Sequence, residues 1–198
     1  MTAFRLGLTG SIGMGKSTTA AMFAAEGIRV WDADATVHRL YAPGQPAARA
    51  IAAVFPQAID PDGAVNRDRL RALIAGDRSV LDRLNALVHP LVAADRAEFL
   101  ASTPTDIVLL DIPLLYETGA ETQCDAVAVV SVPPEIQRAR VLARGMTEGD
   151  FQMILARQMP DADKRARADY IIPTTDLDTA RQAVKDVIAD IRRRIADA

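Results

Sequence analysis

Five short runs along the chain are nearly all apolar and rich in β-branched residues: 4–9 (FRLGLT), 27–34 (GIRVWDAD), 106–112 (DIVLLDI), 125–132 (DAVAVVSV) and 169–174 (DYIIPT). Runs this short that do not alternate with polar positions fit strands buried on both faces, as in a parallel sheet. Between them, apolar positions return every three to four residues, the period of a helix with one buried face. That predicts helices over roughly 16–26, 35–54, 67–75, 79–101, 134–143, 148–158 and 178–196. Strand alternating with helix predicts an α/β fold: a three-layer sandwich about a five-stranded parallel sheet, with right-handed crossovers.

Two stretches are longer than a plain crossover needs. The mostly helical segment 35–101 separates the second and third runs, and the Arg-rich segment 134–167 separates the fourth and fifth. We expect a single domain over 1–198. The first excess forms a helical subdomain over one edge of the site, and the second a mobile lid.

Composition narrows the picture only at a few points. A chain of 198 residues can bury a sizeable core. An aromatic share of 5% makes that core mostly Ala, Leu, Ile and Val. The net charge of −3 argues against a general nucleic-acid binder but leaves room for a local basic site. The single cysteine, Cys124, excludes an intrachain disulfide. It reads as a small buried hydrophobe beside a strand, which fits a reducing compartment. The N-terminal stretch lacks the charged leader and apolar run of a signal peptide, and no apolar stretch is long enough to span a bilayer. The expectation is a soluble, cytoplasmic protein with no membrane or nucleic-acid partner, a monomer or weak homo-oligomer.

The chemistry begins at residues 10–17, GSIGMGKS. Gly10-x-x-x-x-Gly15-Lys16-Ser17 is the phosphate-binding loop pattern, placed between a predicted strand and a predicted helix as the motif requires. Consecutive backbone N–H groups can curl round an anion there, and Gly13 and Gly15 leave room for it. The helix N-terminus adds partial positive charge. Lys16 reaches the β- and γ-phosphates, and the Ser17 hydroxyl helps hold Mg²⁺. Ser11, Gly13, Met14, Gly15, Lys16, Ser17 and Thr18 are the candidate ATP-binding residues of the loop.

Acidic residues stand where the other strands end, the edge at which open α/β sheets bind ligands. The second strand runs into Asp32-Ala33-Asp34. Asp34 suits either of two roles, the N-cap of the following helix or a carboxylate that takes a proton from an attacking hydroxyl or holds Mg²⁺ through water. His38 falls one turn later on the same helical face. The third strand runs into "LLDIPLLYE". Asp111 is a candidate Mg²⁺ ligand, Pro113, Leu114 and Leu115 form an apolar lip, and Glu117 is placed to orient a substrate group.

With these elements the chain resembles the dephospho-coenzyme A kinases. The resemblance rests on LGLTGSIGMGKST (6–18), VWDAD (30–34) with His38 after it, and NALVHP (85–90). It extends through DIPLLYE (111–117) and a lid pattern of Gln137, Arg140, Arg144, Arg157 and Gln158, to ADYII (168–172). The phosphate loop is shared by many families; the other elements together are far more restrictive. The resemblance implies transfer of the γ-phosphate of ATP, with Mg²⁺, to the ribose 3′-hydroxyl of dephospho-coenzyme A. In that reading Asp34 is the base, Lys16 neutralises the transferring group, and Arg140 and Arg144 close over the phosphates. His89, with Asp34, His38 and residues 113–117, faces the acceptor. Two features depart from the pattern. PTTD (173–176) stands where an Asn commonly follows the last strand, so any hold on adenine passes to backbone groups. The lid between Arg144 and Gln158 is about one residue short.

Two rival readings fit the phosphate loop alone. Other small-molecule kinases carry the loop and an arginine lid, but not the Asp-x-Asp, His-Pro and Pro-Leu-Leu elements together. A GTP-driven switch would carry an Asn-Lys-x-Asp element, which the chain lacks.

Overall fold

In the computed structural model, residues 3–197 are described, so residues 1, 2 and 198 of the expected domain lie outside them. The chain divides into two compact units, one made of residues up to Trp31 and from Thr103 onward, the other of Asp32–Ser102.

The first unit is built on a five-stranded sheet in the order β2-β3-β1-β4-β5. Its strands are β1 (Phe4–Thr9), β2 (Arg29–Asp32), β3 (Ile107–Asp111), β4 (Ala126–Ser131) and β5 (Tyr170–Pro173). β1 lies parallel between β3 and β4, with Leu6 opposite Leu109 on one side and Ala126 on the other. β3 and β4 are buried at every position, which is why their sequences do not alternate. Helices α1 (Lys16–Ala25) and α9 (Leu177–Ala196) pack on the sheet and on each other. Phe23, Leu8, Val130, Ile172, Val184 and Ile191 fill the space between, all buried. Cys124 is half-buried, and a side chain on Gly7 would strike its Sγ.

Segment 134–167 folds as α6 (Pro134–Ala143), α7 (Glu148–Leu155) and α8 (Asp161–Arg167). The helix expected over 148–158 stops at Leu155, and α8 begins after Pro160, a residue that cannot continue the preceding hydrogen-bond ladder.

The second unit is helical, with α2 (Ala33–Leu40), α3 (Pro46–Val54), α4 (Arg67–Gly76) and α5 (Ser79–Ser102). The single helix expected over 35–54 is thus two. Gly44, at φ 72°, and Pro46 at the start of α3 turn the chain between them. Leu40, Ile51, Phe55, Leu70, Leu84 and Val88 form this unit's own core. Asp95 on α5 accepts from the Thr36 hydroxyl and pairs with Arg39, tying α2 to α5. Pro90 stands inside α5.

Candidate active site

The loop between β1 and α1 presents a set of unused N–H groups. α1 starts without a side-chain cap, because its N-cap is Gly15 in the left-handed region at φ 91°. Among the described residues, the N–H groups of Gly13, Gly15, Lys16 and Ser17 make no backbone hydrogen bond. A helix start leaves such donors for an anion.

The opposite polar groups of the loop are tied down. Met14 N–H donates to Ser11 O at 3.1 Å. Ile12 N–H donates to Gln158 Oε1 at 3.1 Å, and Gln137 Nε2 donates to Ile12 O at 2.7 Å. The Thr174 hydroxyl donates to Met14 O at 2.6 Å.

Two expectations for the loop need correction. Gly13 and Gly15 do not only clear space for the anion. A Cβ on Gly13 would meet Val141 Cγ2 at 2.5 Å, and one on Gly15 would meet Thr174 Oγ1 at 3.2 Å. Both glycines also hold positive φ, so close packing and backbone shape select them. Met14, unlike its loop neighbours, does not stand with an unpaired N–H. Its side chain is 2% exposed, its sulfur accepts from Val132 N–H, and its own N–H is taken by Ser11.

Lys16 leaves the loop toward β3, where its Nζ lies 2.5 Å from Asp111 Oδ1. The pair is largely out of water, with Asp111 3% exposed, so the two charges interact strongly. The Ser17 side chain is exposed at the helix start. Among the described residues no group of three or more His, Cys, Asp or Glu could hold a metal ion. Ser17 and Asp111 nevertheless fit Mg²⁺, which keeps several waters and takes one or two protein oxygens together with substrate phosphates.

Beside α1 lies a cavity of about 480 Å³, lined by Gly15, Thr18, Met22, Arg140, Thr175 and Leu177 among others. Arg144 also lines it and is exposed. Arg140 donates to Thr174 O at 2.6 Å and to Thr175 O at 3.2 Å. The carbonyls of the PTTD segment expected to replace the missing Asn are therefore already engaged. A larger cavity of about 800 Å³ lies against α6, α7 and α8 and has Ser11 and Met14 of the loop in its lining, and neither cavity is lined by Lys16 or Ser17.

After β3, the apolar lip is smaller than expected. Leu114 is exposed, whereas Leu115 is fully buried and would meet a Cβ on Gly7 at 2.7 Å. Glu117 faces inward. Its Oε1 lies 2.8 Å from the ammonium of fully buried Lys164 and accepts from Met159 N–H at 2.8 Å. Burial raises the pKa of this carboxyl, but Lys164 and the Met159 N–H outweigh that and hold it below its ordinary value. Glu117 thus anchors the segment between α7 and α8 to the turn after β3.

In the second unit, the N-cap of α2 is Asp32, whose Oδ1 accepts from Ala35 N–H at 2.9 Å. Asp34 sits in the first helical turn, exposed, and is not the cap. His38 is exposed four residues on, on the same side of α2. His89 is exposed on α5, next to Pro90.

Reasoning from sequence missed what Gln137, Gln158 and Thr174 do. They reach the loop across 125, 146 and 160 positions of chain, and no local pattern carries such a contact.

Known proteins can be set beside this geometry. A crystal structure of a Thermus thermophilus protein aligns with TM-score 0.82 at 33% identity, covering 96% of this chain and 98% of that one. The dephospho-CoA kinase of Campylobacter jejuni aligns with TM-score 0.65 at 22% identity, over 94% and 96%. Shikimate kinase from Acinetobacter baumannii, at TM-score 0.51 and 18% identity, shares the fold over 98% and 95% of the two chains. In sequence, the chain is 63% identical over its whole length to all of the dephospho-CoA kinase of Cereibacter sphaeroides. It is 57% identical to that of Ruegeria pomeroyi over 96% of both. The sequence profile described as dephospho-CoA kinase matches residues 4–178, which span both units and every element of the phosphate-binding loop, and the chain belongs to that family.

Proposed function

We propose that the chain transfers the γ-phosphate of ATP to the ribose 3′-hydroxyl of dephospho-coenzyme A, the last step of coenzyme A synthesis. The observation that carries this is the family match over residues 4–178; the phosphate cradle, in which the free N–H groups of Gly13, Gly15, Lys16 and Ser17 accompany the Lys16–Asp111 pair, supports the nucleotide donor. In phosphoryl transfer the protein acts mainly by positioning and by offsetting charge. The N–H groups hold the β-phosphate, and the Lys16 ammonium turns from Asp111 toward the transferring oxygens. Mg²⁺, held by Ser17, Asp111 and, through water, Asp34, would neutralise phosphate charge. Arg140 and Arg144 line the cavity for the nucleoside and approach the phosphates, where a guanidinium pairs well with phosphate oxygens.

Asp34 takes the proton of the acceptor hydroxyl. Its carboxylate is exposed and released from capping by Asp32, and it follows β2 at the edge of the sheet where ligands bind. The second unit, with His38 and His89, receives the acceptor, and Pro113 and Leu114 supply apolar surface. Glu117 acts as an anchor rather than as a substrate contact. ATP consumption measured with dephospho-coenzyme A, with shikimate, with a nucleoside monophosphate and with no acceptor tests the reading. Consumption should depend on dephospho-coenzyme A; equal consumption without an acceptor would point to an ATPase that acts by binding.

A further inference from the structure

We infer that Gln137 and Gln158 are positioning residues that set the phosphate-binding shape of the loop by holding both backbone polar groups of Ile12. Gln158 accepts from the Ile12 N–H, and Gln137 donates to the Ile12 carbonyl. The chemistry of the partners fixes each amide: only an oxygen can face the N–H, and only the NH₂ can face the carbonyl.

Gln137 is 5% exposed, so its bond is largely shielded from water. Ile12 directly precedes Gly13, whose N–H makes no backbone hydrogen bond. Gly13 has little room on the side of α6, where a Cβ built on it would meet Val141 Cγ2 at 2.5 Å and Gln137 O at 3.1 Å. The loop is therefore fastened on its outer side while its inner donors stay unpaired, the preorganisation that an anion site needs. Gln137 stands on α6 and Gln158 just after α7, so a shift of either element acts on the loop through Ile12. Glu117, bonded to the adjacent Met159 N–H and to Lys164, holds the Gln158 end in place.

The inference rests on the loop binding the phosphates of ATP and not on the identity of the acceptor. Its test is ATP affinity by calorimetry on four variants, each first shown by a thermal melt to be folded at the assay temperature. Gln137→Leu and Gln158→Leu remove one bond each. Both should weaken ATP binding about tenfold, the scale of one unmade shielded hydrogen bond, and raise KM for ATP without raising KM for the acceptor. Gln158→Glu keeps an acceptor for the Ile12 N–H, whereas Gln137→Glu sets an acceptor against a carbonyl. The two add the same charge, so the affinity gap between them reads the hydrogen bonds, and Gln137→Glu should bind ATP at least tenfold more weakly than Gln158→Glu. ATP affinity within threefold of the parent in both Leu variants, or equal affinity in the two Glu variants, would overturn the inference. Parent enzyme that turns over dephospho-coenzyme A beside such variants would leave the proposed reaction standing. The ranking without turnover would do the reverse.

Discussion

In the proposed reaction Lys16 and Asp34 carry the chemistry, and the structure gives each a different risk on substitution. Lys16→Ala removes the ammonium that offsets charge on the transferring group, and turnover should fall on the order of a hundredfold or more. It also strips the ammonium from a carboxylate that is 3% exposed, so the melting temperature should drop as well. Lys16→Ala with Asp111→Asn should recover much of the melting temperature and none of the turnover. A Lys16→Ala enzyme within twofold of the parent would remove Lys16 from the reaction. Asp34→Asn is the cleaner substitution, because Asp32 rather than Asp34 caps α2. Its cost to the helix is the loss of one favourable charge near the N-terminus, about 0.3–1 kcal/mol. Turnover should fall by roughly a hundredfold, the scale of general-base loss, while ATP affinity and melting temperature stay near the parent's. If ATP affinity falls in step with turnover, Asp34 acts on the metal and nucleotide instead. Asp32→Ala should give the opposite profile, a loss of about 1 kcal/mol of stability.

At the level of elements, α6 to α8 form a segment fastened at few points: Gln137 and Gln158 to the loop, Arg140 to the PTTD carbonyls, and Glu117 with Lys164 at the base. In the proposed reaction nucleotide phosphates compete for Arg140, so ATP should replace its carbonyl partners with charge-assisted ones and order the segment. Hydrogen exchange over 137–158 should slow when ATP and acceptor saturate the protein; unchanged exchange would mean that the segment is not a lid. These fastenings also mark how far the sequence could be read. β3 and β4 were legible because burial on both faces leaves a continuous apolar run, and the phosphate loop because its glycines and lysine are adjacent in the chain. The break between α2 and α3 was masked by an apolar period that continues on both sides, although Gly44 and Pro46 in APGQP carry its signal. The direction of Glu117 was hidden too, because Lys164, which turns it inward, lies 47 positions away.

Across the whole molecule, one pH dependence follows from the Glu117–Lys164 pair. The carboxyl of Glu117 has a folded-state pKa below its ordinary value. A depressed carboxylate contributes stability above its unfolded pKa of about 4.3, and that contribution is lost as pH falls through the folded value. Glu117→Gln should therefore melt well below the parent at pH 7, and the gap between them should close below about pH 4. A gap of constant size down to pH 3 would show that Glu117 stabilises by shape rather than by charge. Lys16 belongs to the first unit and Asp34 to the second, and the proposed reaction calls on both residues. The most direct test of the account is therefore the product itself: the purified chain is incubated with ATP, Mg²⁺ and dephospho-coenzyme A, and the products are resolved by mass and by phosphorus NMR. The account predicts one ADP for each coenzyme A, with the new phosphate on the ribose 3′-oxygen. ADP without coenzyme A, or a phosphate at any other position, would contradict it.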